Sequence, residues 1–212
     1  MQKSTIRFLL TNLIVIVLAS CTSVNVVKDY PSVALDKPIY QNTYFANPEI
    51  DYVYKANISV YGNELTGIFI AKKINETTHR VVFTTEFGNK LLDFEISENE
   101  FKVNSIVDEL NRKILINTLK QDFRLLLKQD FLVEEQFAKT TNKVYKSKDG
   151  KNFNFLFISS LDDRLYKLTH CSKTKEKINI SFSSENNIFA SNIIIQHNNI
   201  KLRIELNYFK QN

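Results

Sequence analysis

"HRVVFTTEFGNKLLDFEIS", residues 79 to 97, sets the period of the chain. Its first arm puts Val81, Phe83 and Phe87 on one side, with Arg80, Thr84 and Glu86 opposite. Its second arm puts Leu92, Phe94 and Ile96 against Asp93 and Glu95. A turn is expected between the arms at Phe87-Gly88-Asn89. Alternation with period two marks strands that have one buried face and one wet face. Parallel strands covered on both faces would read as unbroken apolar runs, so the sheet is expected to be antiparallel.

The same period extends outward. Upstream, "YVYKANISV" (52 to 60) aligns Tyr52, Tyr54, Ala56, Ile58 and Val60, and "ELTGIFIAKK" follows across a turn at Gly62-Asn63. Downstream, three hairpins are expected. One folds about Asp149-Gly150 with Phe153, Phe155 and Phe157 on one face. The next carries Ile178, Ile180 and Phe182, and the last turns at Asn198-Asn199, a pair that tolerates positive φ.

Between the two β regions the period changes. "SIVDELNRKILINTLKQDFRLLLK" (105 to 128) offers Ser105 as an N-cap and Asp108 and Glu109 in a first turn. Leu115, Ile116, Leu119, Phe123, Leu126 and Leu127 form one apolar stripe, with Arg112, Lys120, Arg124 and Lys128 away from it. Val107, Leu110 and Ile114 point elsewhere on an ideal helix. A short helix, a bend near residue 112 and a longer helix packed on the sheet are therefore expected.

The start of the chain has a different character. Lys3 and Arg7 precede the apolar run "FLLTNLIVIVLAS", which reads as a secretory signal peptide over residues 1 to 20. A membrane-spanning helix needs about 20 mainly apolar residues, and this run is shorter and interrupted by Thr11-Asn12. All three prolines fall between residues 31 and 48. Residues 21 to 50 are expected to form a tether, whose 29 residues after Cys21 would span roughly 30 Å if flexible. Tyr40, Tyr44 and Phe45 should bring its later part against the domain of residues 51 to 212.

Composition limits function. The net charge is +5, and removing Lys3 and Arg7 with the leader leaves 5 − 2 = +3. Acids interrupt the lysines in "KSKDGK" and "SKTKEK", as on a solvated face, and no nucleic-acid partner is expected. His79, His170 and His197 are isolated in sequence and read as surface or edge histidines, which gives no metal site. Asp93, Glu86 and Glu95 fall on faces assigned to water. No nucleophile, phosphate-binding or dinucleotide motif occurs, so neither a catalytic residue nor a cofactor is assigned, and the protein is not expected to be an enzyme.

The junction "LASC", residues 18 to 21, resembles the lipobox of bacterial lipoproteins. That resemblance implies cleavage before Cys21 and acylation of its thiol and new amino terminus, a palmitate-type anchor. "CTSVN" has no Asp after the Cys, which by the same resemblance implies the outer membrane, at its periplasmic face. The order of lipobox, tether, "LTGIFIAKK", "HRVVFTTEFGNKLLDFEIS", amphipathic helix and terminal hairpins is similar to the lipoprotein-localisation (Lol) family: the LolB outer-membrane receptor and the LolA periplasmic carrier. The resemblance implies an eleven-stranded antiparallel half-barrel with helices over its concave face and an apolar cavity for the acyl chains of lipoproteins.

The residues themselves count about ten or eleven strands, and a sheet that large tends to curl. Curling would let Tyr54, Ile58, Phe83, Phe94, Phe155, Phe157, Ile180 and Phe182 converge as a cavity lining from both sides of the helical insertion. Two roles follow. One is a monomeric, membrane-anchored protein that binds lipids or lipidated proteins. The other is a structural or assembly lipoprotein of the envelope whose core is filled.

Overall fold

The computed structural model describes residues 26 to 186 and 188 to 209. The leader and Cys21 lie outside the described residues. Two short strands open the chain, β1 (Ser32–Val33) and β2 (Ile39–Gln41). Five strands follow: β3 (Tyr52–Val60), β4 (Asn63–Lys73), β5 (His79–Thr84), β6 (Lys90–Ile96) and β7 (Phe101–Ile106). After a 3-10 turn at Asp108–Leu110 comes the helix α1 (Lys113–Leu127). Seven strands complete the chain: β8 (Asp130–Ala138), β9 (Asn142–Asp149), β10 (Asn152–Ser159), β11 (Leu165–Cys171), β12 (Glu176–Ser183), β13 (Asn192–His197) and β14 (Leu202–Tyr208).

These form one open antiparallel sheet of 14 strands. Its order runs β1-β8-β9-β10-β11-β12-β13-β14-β3-β4-β5-β6-β7, with β2 also on β8. The last strand returns to pair with the first long one, Ile204 opposite Ile58. The edge strand β7 and the strand β8, which β1 and β2 flank at the other end of the sheet, are therefore consecutive in the chain, with α1 joining them. The sheet curls. In a flat sheet β11 and β6 would lie roughly 34 Å apart at ~4.8 Å per strand, yet His170 of β11 and Ile96 of β6 line one cavity.

The apolar interior lies on the concave side. Tyr52, Tyr54, Phe69, Phe83, Phe94, Leu126 and Ile180 pack there in a single cluster. The buried stripe of α1 joins it, with the Phe123 ring 5.3 Å from the Phe69 ring. Gly67 in β4 is required by a close approach, because a Cβ there would sit 2.0 Å from the Thr84 carbonyl oxygen.

Several expectations need correction. Among the described residues the strand count is 14, not ten or eleven. Ser105 is no N-cap but a residue of β7, opposite Asp93, and α1 starts at Lys113 after Arg112 without a side-chain cap. Phe87 does not share the face of Val81 and Phe83: β5 ends at Thr84, and Phe87 stands 94 % exposed at the hairpin tip. Between β3 and β4 the positive-φ turn is Tyr61-Gly62 and not Gly62-Asn63, and Asn198-Asn199 does not adopt positive φ.

The lead-in is not free along its length. Val26, Val27 and Tyr30 pack against a second, smaller cluster on the convex side, built on Val144, Phe155, Phe157 and Cys171. The chain then pairs β1 and β2 with β8 at the sheet edge. The Asp36 carboxylate accepts from Tyr145 Oη at 2.8 Å. Beyond β2 the chain crosses the concave face, where Tyr44 stacks on Phe182 (5.1 Å) and Phe45 packs on Tyr52 (5.0 Å). Phe45 holds φ of 61°, a left-handed conformation that a bulky residue adopts only when its surroundings impose it.

Candidate functional site

Helical spacing divides α1 into two working surfaces. Leu119, Asp122, Phe123 and Leu126 face the sheet and are buried. Asn117, Lys120, Gln121, Arg124 and Lys128 recur three or four residues apart, so they share a flank. That flank borders a cavity of about 530 Å³, within the range of small-molecule pockets. Ile96, Leu125 and Leu127 supply its apolar part. Across the opening, Asp149, Asn152 and His170 come from β9 to β11, and His79 closes the near side.

The lining is mixed in charge. Lys120, Arg124 and Lys128 face Glu76, Glu98, Asp130 and Asp149, three cations against four acids. Some are already engaged: Lys128 Nζ lies 3.0 Å from Glu98, and Arg124 Nε donates to the Ser97 carbonyl at 3.1 Å. A net field that would select an anion or a cation is therefore absent from these groups.

All three histidines are buried, contrary to the surface or edge positions expected of them. His79 Nε2 donates to the Phe45 carbonyl at 2.8 Å, fixing the lead-in across the concave face. His197 Nε2 donates to both carboxylate oxygens of Asp122, at 2.8 and 3.0 Å. His170 Nδ1 lies 2.7 Å from Asn154 Oδ1. Burial pushes the imidazoles of His79 and His170 below the usual histidine value. Each partner is distant in sequence, so no spacing signal could have found it. Among the described residues no group of three His, Cys, Asp or Glu side chains is placed to hold a metal ion.

No family model matches the chain, and no curated protein matches it. A LolA superfamily protein from Nitrosomonas europaea, known from its crystal structure, superposes with a TM-score of 0.51 at 9 % identity, covering 78 % of this chain and 87 % of its own. The fold is LolA-like. Two other crystal structures superpose less closely. A DUF1329 family protein from Desulfovibrio piger has a TM-score of 0.42 at 10 % identity, with 76 % of this chain and 84 % of its own covered. A domain named for outer membrane lipoprotein sorting, from Vibrio parahaemolyticus, has 0.44 at 8 %, with 76 % and 83 % covered.

The LolA-like sheet brings six of the eight expected lining residues together. Tyr54, Ile58, Phe83, Phe94, Ile180 and Phe182 share the concave cluster. Phe155 and Phe157 do not join them; they belong to the convex cluster under Tyr30, whose ring lies 6.1 Å from that of Phe157. The inward residues of β10 are Leu156 and Ile158. None of the eight lines the 530 Å³ cavity or a second one of about 350 Å³ between the lead-in and Asp163–Leu165. Cys171 lies with the convex cluster, and burial pushes its thiol up to about 12.

Proposed function

We propose that this protein is an outer-membrane lipoprotein, anchored through acyl chains on Cys21 at the periplasmic face. On this reading it binds, without catalysis, the acyl chains of lipids or lipidated proteins. The observation that carries the reading is the cavity between α1 and the concave face of a LolA-like sheet. Its apolar part, Ile96, Leu125 and Leu127, is continuous with the buried stripe of α1. An acyl chain lodged there gains about 0.8 kcal/mol for each buried CH₂ group. The test is native mass spectrometry of the chain as isolated from the cell. Co-purified lipid or acylated peptide supports the reading; an adduct-free protein that also takes up no added fatty acid removes it.

A second reading has its own observation. Tyr44 and Phe45 cross the concave face and pack on Phe182, Tyr52 and Tyr54, so aromatic side chains already occupy its centre. A filled core of this kind suits an envelope scaffold with no ligand, and the adduct-free outcome would favour it. The anchor is tested separately. A fatty-acid analogue should label the wild type and not Cys21→Ser, and the labelled protein should fractionate with the outer membrane. Equal labelling of both forms would dismiss it.

A further inference from the structure

Besides His79 and the His197–Asp122 pair, the concave face carries a polar row. Across three strands, Ser147 of β9 stands opposite Asn154 of β10, and Asn154 stands opposite His170 of β11. All three are buried, His170 with 3 % exposure. His170 lines the 530 Å³ cavity beside α1. Its Nδ1 is occupied by Asn154, while its Nε2 has no hydrogen-bond partner among the described residues. A buried polar atom without a partner is rare, because it has given up water and gained nothing in exchange.

The direction of the missing bond follows from the bond that is made. Asn154 Oδ1 accepts, so Nδ1 carries the proton. In the neutral ring Nε2 is then a lone pair, an acceptor that awaits a donor. Burial favours that neutral ring. The donor must therefore come from what enters the cavity. The cavity's own charges, three cations and four acids, give no preference for an ionised headgroup.

We propose that the cavity beside α1 is a headgroup site for an uncharged amphiphile, in which His170 Nε2 accepts a hydrogen bond from a hydroxyl or amide N–H next to the acyl chain. The proposal rests on the acyl-binding reading and refines it. A glyceryl hydroxyl of a lipid and the amide of an acylated peptide share this chemistry. An ester without a donor does not.

The experiment separates these sources. The full chain isolated from the cell is equilibrated with equal amounts of 1-oleoylglycerol, N-oleoylglycine methyl ester and methyl oleate, and its adducts are counted by native mass spectrometry. One or both donor-bearing ligands should outcompete methyl oleate by roughly five- to tenfold, the worth of one buried hydrogen bond. Which of the two leads identifies hydroxyl or amide as the preferred donor. His170→Leu should level the three ligands while methyl oleate still binds, and His170→Gln, which retains an acceptor, should keep part of the preference. Equal uptake of all three by the wild type overturns the headgroup assignment and leaves acyl binding standing. No uptake of any ligand overturns both. The wild-type comparison decides the matter even if His170→Leu does not fold.

Discussion

Asp122 of α1 and His197 of β13 meet inside the protein with no access to water on the carboxylate side, at 2.8 and 3.0 Å. This pair joins the helix to the middle of the sheet, whereas Arg124 and Lys128 hold it only at the Ser97-Glu98 turn. Removing one member of a buried pair strands the other. His197→Leu should cost about 3–5 kcal/mol, and replacing both by Leu should recover most of that loss. Burial raises the Asp122 carboxyl above its ordinary value. A raised folded value means the native state holds the proton more tightly than the unfolded chain, so stability falls as pH rises through that value. The His197→Leu penalty should accordingly be largest near neutral pH and shrink in acid. Urea melts at several pH values check this; a penalty that grows in acid would contradict the assignment.

The helix also holds by packing. Phe123→Ala should cost about 3–5 kcal/mol, since it opens a cavity against Phe69. Ile114→Ala, at an 82 % exposed site on the same helix, should change stability by less than about 0.5 kcal/mol. Thermal unfolding ranks the two, and the opposite ranking would mean that the wrong face of α1 is packed.

Gly67→Ala tests the approach of β4 to β5. The new methyl would meet the Thr84 carbonyl, a backbone atom that moves only with its strand. A loss of about 1–3 kcal/mol or more is expected in denaturant titrations. Phe87→Ser, at the exposed tip of the next hairpin, should be near neutral. An Ala variant as stable as the wild type would show that β5 yields freely.

Asp93 gives the sheet an acid-sensitive point. Arg80 binds it at 2.9 and 2.7 Å and Lys90 at 2.8 Å. The guanidinium holds its carboxyl well below the ordinary 3.8. A depressed folded value contributes stability that is complete above the unfolded value and lost as pH falls below it. Asp93→Asn should cost roughly 1–2 kcal/mol near neutral pH, the outer side of Arg80 being screened by water. The gap between variant and wild type should start to shrink as pH falls below about 3.8 and close only as pH falls through the lower folded value. A gap of unchanged size between about pH 5 and about pH 2 would assign the loss to packing instead.

Thiol titration reads both cysteines. Cys171 is buried on the convex side with its thiol pushed up to about 12, so a disulfide reagent at mildly basic pH should not modify Cys171 in the native protein. After unfolding, one thiol per chain should react if Cys21 is acylated. Two would mean a free Cys21.

Alternation carried much of the β architecture. Val81 and Phe83, Leu92 and Phe94, and Ile178, Ile180 and Phe182 all fall on the concave side as their period requires. It failed where a strand has two buried faces or none. In β10 the regular Phe153, Phe155 and Phe157 look like the core face, but residues 26 to 30 cover that side and Leu156 and Ile158 fill the other. Strand β7, "FKVNSI", is an edge with no fully buried residue, so its sequence carries no apolar stripe. The cavity was hidden for another reason. His170, Ile96 and Lys120 come together only after the sheet curls and α1 crosses between its edges. The polar row depends on register across β9, β10 and β11, which no single segment encodes.

The seat of Val26, Val27 and Tyr30 on the convex side changes the geometry of attachment. Five Cα-to-Cα steps separate Cys21 from Val26 and, fully extended, reach at most about 17 Å, not the roughly 30 Å of a flexible lead-in. With acyl chains on Cys21, the leash is shorter than the domain is wide, and Lys139, Lys146 and Lys148 ride above the headgroups. A spin label at Lys148→Cys should then be relaxed by lipid-borne quenchers more strongly than one at Lys120→Cys; the reverse order would turn the molecule over. Held on so short a leash, the convex side would stay beside the bilayer while the domain has little freedom to reach away from it.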